Sequence, residues 1–160
     1  MSNEALVTDS VLLALVRSIN AVPKTNDPIE GLGLVLFVGG SVVSGRLIPN
    51  WLWFRKVADG LREQEDSEGK PPSGLREMFN YFEQEMISLQ KDIVKIFEVI
   101  DKVPEHARDA LAAADRTELI HLEDARVFQP GYPGMPGNGM LWRGRLAEIS
   151  GWSLGLFAPQ

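Results

Sequence analysis

Cysteine is absent from this 160-residue chain, which removes disulfides, thiolate zinc sites and thiol nucleophiles together. That absence fits a reducing cytoplasm, the expected location. Histidine is scarce: His106 and His121 lie in no ligand-spaced cluster, and each reads as structural rather than as a metal ligand or proton shuttle. Long apolar runs are missing too. Val11 to Val16 ends at Arg17, far short of the roughly 20 residues that cross a bilayer, so no membrane span is expected. The residues before Val11 include Glu4 and Asp9 but no Lys or Arg, so no secretory signal is expected. Positive charge is also in deficit. A net charge of −6 and a pI near 4.9 oppose non-specific attraction to phosphate backbones, and nucleic acid is disfavoured as a partner. No GxGxxG, P-loop, HExxH or GxSxG motif occurs, and Gly31-x-Gly33 lacks a third glycine. Glu123 and Asp124, adjacent on an expected strand, point to opposite faces unless a bulge turns them together. No catalytic residue, metal site or cofactor is expected, and the chain does not read as an enzyme.

What is present is organised around residues 31–48, GLGLVLFVGGSVVSGRLI. Leu34 to Val38 is rich in strand formers, Gly39 and Gly40 follow, and Val42, Val43, Leu47 and Ile48 resume the pattern. Two successive glycines both accept φ > 0, as a two-residue primed turn requires, so a β-hairpin is predicted. Its first arm is apolar on both faces, with Leu32, Leu34, Leu36 and Val38 on one and Val35 and Phe37 on the other. Leaving either face in water costs about 1.5–3 kcal/mol per large side chain, which predicts a buried central strand. The second arm places Ser44 and Arg46 on a wetter face.

With 44% hydrophobic and 24% charged residues, the composition is that of an ordinary globular chain, and the length suits one domain over 1–160. The β-core is expected at 28–50 and 117–158, an N-terminal helix at 3–20 and a helical insertion at 51–115. In the first helix Leu6, Leu13 and Val16 recur at helical spacing, Pro23 follows, and Asp9 or Ser10 makes a better N-cap than earlier residues. This helix is expected to cover an open end of the sheet.

Asn50 can cap a helix from Trp51 onward, in which Trp51 and Trp53 read as core. Glu65 to Ser73 is a polar turn. Beyond it Leu75, Phe79, Phe82, Met86, Leu89, Ile93, Ile96 and Ile100 step by four and three residues, a heptad seam on a helix about 39 Å long. The seam is either a coiled-coil dimerisation arm or a surface covered by the Trp51 helix. Met78, Val94, Phe97 and Val99 widen the stripe and leave both readings open. A short helix is expected from Pro104, then a strand through Leu119–Phe128 with a bulge at Asp124–Ala125. Gln129 to Gly139 holds three prolines and four glycines, reads as irregular, and displays Tyr132 and Met135 either as a recognition loop or on a plain connection. Met140–Ile149 and Trp152–Phe157 read as the closing strands, with Leu141, Arg143 and Arg145 sharing a side.

This order of elements is similar to the Sm-like fold. The likeness rests on VLFVGGSVVSGRL, where Gly40 and Gly45 stand near that family's two glycines, on LIHLEDARVF, and on LWRGRL. Over nearly the whole chain, GGSVVSGRLI, IHLEDARVF, the Pro/Gly loop and LWRGRLAEISGWSLG resemble the gas vesicle accessory proteins of the U type. The expected class is therefore α+β: a small bent antiparallel sheet or Sm-like barrel of about five strands, with an N-terminal helix and a long helical insertion between strands 2 and 3. The U-type resemblance implies a non-enzymatic accessory protein, without cofactor, that self-associates or binds protein partners in gas vesicle formation or clustering. Leu75, Phe82, Leu89, Ile96, Tyr132 and Met135 are the candidate contacts. The alternative is an RNA-binding Sm-like ring in which Arg46, Arg126, Arg143 and Arg145 converge on phosphates.

Overall fold

The computed structural model describes residues 8–64, 74–99 and 117–157. Asp9 starts the first element. Its carboxylate accepts the backbone N–H groups of Val11 (2.9 Å) and Leu12 (2.8 Å), donors that a helix start leaves without partners, and helix α1 runs Ser10–Asn20. The same bonds, Leu12's most of all, hold the Asp9 carboxyl below the usual carboxylate range. Thr8 and Asp9 are not helical, so the later of the two expected starts is the one used; residues 3–7 lie outside the described residues. Leu12 and Val16, one turn apart, are fully buried and join the sheet's core with Leu34, Leu36, Val43, Leu47, Ile120, Leu122 and Leu146.

Strands β1 (Leu32–Val38) and β2 (Ser41–Leu47) form the predicted hairpin. Val38 pairs with Ser41 across Gly39 (φ 56°) and Gly40 (φ 80°), a left-handed pair of turn residues that side chains with a Cβ resist. Strands β3 (Leu119–Phe128), β4 (Met135–Arg145) and β5 (Ile149–Leu154) complete a five-stranded antiparallel sheet in the order β4-β3-β2-β1-β5. The sheet is open, with β4 and β5 as its edges, so the barrel form of the expectation gives way to a bent sheet. β1 is interior as predicted. Its two faces differ: Leu34 and Leu36 are fully buried, whereas Phe37 on the other face is 46% exposed.

The bend has a local cause. Pairing slips between Ser44 and Arg46 on β2 and between Leu122 and Ala125 on β3, and Asp124 takes φ 50°, which places the bulge where the sequence suggested it. Gly45 packs on this bulge so closely that a Cβ there would lie 3.0 Å from the Ala125 Cα. The proline- and glycine-rich segment departs from its sequence reading. Residues 129–134 are irregular, but Met135–Gly139 belong to β4, where Gly139 (φ 76°) lies against Asp124. An edge strand leaves one backbone side without ladder bonds, and that position tolerates Pro136. The last strand likewise starts earlier than expected, at Ile149, after a 3₁₀ turn over Leu146–Glu148.

Between β2 and β3 the chain inserts helices α2 (Asn50–Gln64) and α3 (Leu75–Val99). Phe54 of α2 meets Phe79 and Phe82 of α3 at 6.2 and 5.6 Å between ring centroids. Trp51 is fully buried, with its indole N–H donated to the Val22 carbonyl at 2.9 Å, so it is core as predicted. α1 covers one face of the sheet, and α2 covers one end of the other. The polar turn at 65–73 and the short helix expected from Pro104 lie outside the described residues.

Candidate interaction surfaces

The inward side of α3 is unusually polar. Among its described side chains, Glu83, Ile87 and Gln90 are the buried ones. Glu83 accepts from Lys24 Nζ and Arg55 Nε, both at 3.0 Å, and Gln90 Nε2 donates to the Ala21 carbonyl at 3.0 Å. The segment that follows α1 is thereby tied to both inserted helices; Asn20 Oδ1 adds a bond from the Asn50 backbone N–H at 3.0 Å. Buried carboxylates and amides persist only when so partnered. The predicted heptad seam divides between inside and outside. Leu75, Phe79 and Met86 are half-buried; Phe82 packs its ring on Phe54 of α2 yet is 37% exposed, and Leu89 (52%), Met78 and Tyr81 are exposed. The side chains of Ile93 and Ile96 lie outside the described residues.

On the sheet, the register assigns Val35, Phe37, Val42, Ser44, Arg46, Glu123, Arg126, Phe128, Arg143 and Arg145 to the face opposite α1. α2 covers the end near His121. Across the middle lies residues 155–157: Gly155 donates its N–H to the Gly33 carbonyl at 2.9 Å, and Phe157 donates its N–H to Ser44 Oγ at 2.8 Å. Gly33 makes this crossing possible, because a Cβ there would sit 3.1 Å from Leu156 Cγ. Phe157 then meets Phe128 edge to face at 4.8 Å. Beyond it, at the hairpin-turn end, an open groove of about 350 Å³ is lined by Val42, Phe128, Pro130, Tyr132 and Phe157. Tyr132 is its exposed wall, and Met135 is exposed on β4. The proline and glycine content of its segment marks Tyr132; nothing in the sequence marks Phe157, whose segment reads as a strand although it folds over the sheet.

The four arginines share one face without forming one site. Arg46 stands opposite Glu123, Arg126 opposite Ser44 and Arg143 opposite His121, while Arg145 lies at the edge opposite Leu119. The Arg143 guanidinium rests 5.5 Å from the Phe54 ring centroid. Glu123 and Asp124 do reach one cleft through the bulge, with Lys56, Gly139, Met140 and Leu141. There Glu123 is ion-paired to Lys56 at 2.9 Å, and the lining residues include no hydroxyl, thiol or imidazole. Among the described residues no group of three or more His, Asp or Glu could hold a metal ion, and no helix is long and apolar enough to cross a membrane.

His121 is buried beneath the Trp53 and Phe54 rings, 5.4 and 6.0 Å away, and neither ring nitrogen has a hydrogen-bond partner among the described residues. Desolvation, aided by the Arg143 charge, pushes its pKa down to about 3, so the imidazole is neutral and packs as an aromatic core residue. His106 lies outside the described residues.

Neither the curated proteins nor the solved structures compared include a significant match. A family model described as gas vesicle protein GvpU-like matches residues 9–157, from the cap of α1 to the phenylalanine that closes over the sheet. The chain belongs to the GvpU-like family of gas vesicle proteins.

Proposed function

We propose that this chain is a non-enzymatic, cytoplasmic gas vesicle accessory protein that works by protein contact, its own copies included, through the outward side of α3. The observation that carries the reading is the distribution on that helix: polar Glu83 and Gln90 share its inner side with Ile87, while Met78 and Leu89 are exposed and Phe82, resting on Phe54, keeps part of its ring in water. Burying such side chains is worth about 1.5–3 kcal/mol each, and an exposed stripe of this kind marks an association surface. Phe82 and Leu89 are two helical turns apart, so an antiparallel pair of α3 helices sets each Phe82 against the partner copy's Leu89, a self-complementary arrangement. Tyr132 and Met135 offer a second contact for other partners.

Light scattering over a concentration series tests this. The wild-type mass should rise above the 17.7 kDa of one chain, and the Phe82→Glu, Leu89→Glu double variant should stay at it. A wild type that remains at one-chain mass at every concentration reached overturns self-association. In vesicle-forming cells, the double variant should reproduce the formation or clustering defect of a deletion. Nothing on the sheet favours an RNA-binding ring over this reading.

A further inference from the structure

The groove at the hairpin-turn end of the sheet has a charge environment at odds with the rest of the chain. The protein carries a net charge of −6, yet Gly40, Val42, Phe128, Gln129, Pro130, Tyr132 and Phe157, which line the groove, include no acidic residue. On the same face, two residues along β3 from Phe128 and so roughly 7 Å away, stands the exposed Arg126. Its cross-strand neighbour is Ser44, whose hydroxyl already accepts the Phe157 N–H. Arg46 follows on β2. The acidic residue opposite it, Glu123, gives its carboxylate to Lys56, and neither Arg46 nor Arg126 has an ion pair among the described residues.

We propose that this face is a docking site for a short protein segment that combines apolar anchors with carboxylates. The anchors would seat between Tyr132 and Phe157 on the Val42 and Phe128 floor, and a carboxylate would pair with Arg126, which stands on the groove's own strand, while Arg46 lies beyond the crossing segment and adds positive charge only at a distance. The apolar part has a matching host. Tyr132 is 71% and Phe157 44% exposed, Phe37 widens the rim on the neighbouring strand, and about 350 Å³ falls in the range of ligand sites, roughly 300–1,000 Å³. The charged part has one too, since a guanidinium fork receives a carboxylate by two parallel bonds. A polyanion such as RNA meets the long-range repulsion of the net negative charge, whereas a peptide with a few carboxylates meets only the local arginines. The site is separate from the α3 stripe and does not depend on self-association.

Fluorescence anisotropy with a short labelled peptide of alternating glutamate and leucine, its glutamine counterpart, and oligo(U) RNA tests the proposal on the full chain. The glutamate peptide should bind, more weakly as salt rises, with the glutamine peptide about tenfold weaker. Arg126→Gln should weaken the glutamate peptide by about the same factor, Arg126→Lys should restore part of it, and Tyr132→Ala should weaken both peptides. On the unaltered protein, the Gly40 and Gly131 amide resonances should shift with the glutamate peptide. Equal affinity for the two peptides, no shift at those glycines, or tighter binding of oligo(U) overturns the proposal. Solution mass in the same samples reports separately on α3.

Discussion

The Glu83 carboxylate on α3 receives the Arg55 Nε from α2 at 3.0 Å, on a side of the helix where an apolar residue would ordinarily sit. Lys24 shares the same oxygen, so one acidic side chain joins the chain segment after α1 to both inserted helices.

That arrangement predicts an asymmetry between substitutions. Glu83→Ala leaves two cations without their shared partner and should cost about 1–3 kcal/mol in denaturant unfolding. Glu83→Leu fills the space with apolar volume and should cost less. If the leucine variant is the less stable of the two, the space beside Lys24 and Arg55 does not accept apolar volume.

His121 makes stability depend on pH. Its ordinary value of 6.5 applies unfolded, and its folded value is about 3. A depressed folded value means the unfolded chain binds the proton first. The contribution is therefore complete above pH 6.5 and is lost as pH falls towards 3. Going from pH 7 to pH 5 should remove on the order of 2 kcal/mol, and His121→Leu should flatten that part of the profile. Urea midpoints across the range measure it.

Two glycines should respond in opposite directions. Gly45→Ala would press its Cβ onto the Ala125 backbone at 3.0 Å and should destabilise by about 1–3 kcal/mol. Gly60 lies within α2 with open space around it, so Gly60→Ala should stabilise by roughly 0.5–1 kcal/mol. Thermal unfolding of the two variants gives the signs directly.

At the hairpin turn nothing lies within 4 Å of a Cβ built on Gly40, so any cost there is conformational. Gly40→Val, at φ 80°, should lose about 1–2 kcal/mol, and Gly40→Asn should lose less, because asparagine tolerates the left-handed region. Equal losses would mean the turn relaxes into another form.

The hairpin, the bulge and the buried histidine were legible because each depends on local chemistry: paired glycines, a short charged interruption in a strand, and an imidazole with no companions. The division of the α3 seam was not. Apolar spacing marks Met86 and Leu89 alike, and only the placement of α2 and of Lys24, distant in sequence, decides which is covered. The same holds for Phe157. Strand-like residues continue to it, but Gly155, at φ 110°, turns the backbone off the ladder. Edge position explains β4, where Met135–Gly139 join the sheet despite proline and glycine.

The contact between Ser150 and Phe37 spans 113 residues. β1 is flanked on one side by a neighbour two residues away and on the other by a strand that lies more than 100 residues further along the chain. On the ribosome, β1 and β2 can associate early, and α2 with α3 can follow. Until β5 emerges, the far side of β1 keeps its backbone groups open to any passing strand, so a chain halted before β5 should expose a pairing edge that the folded protein covers.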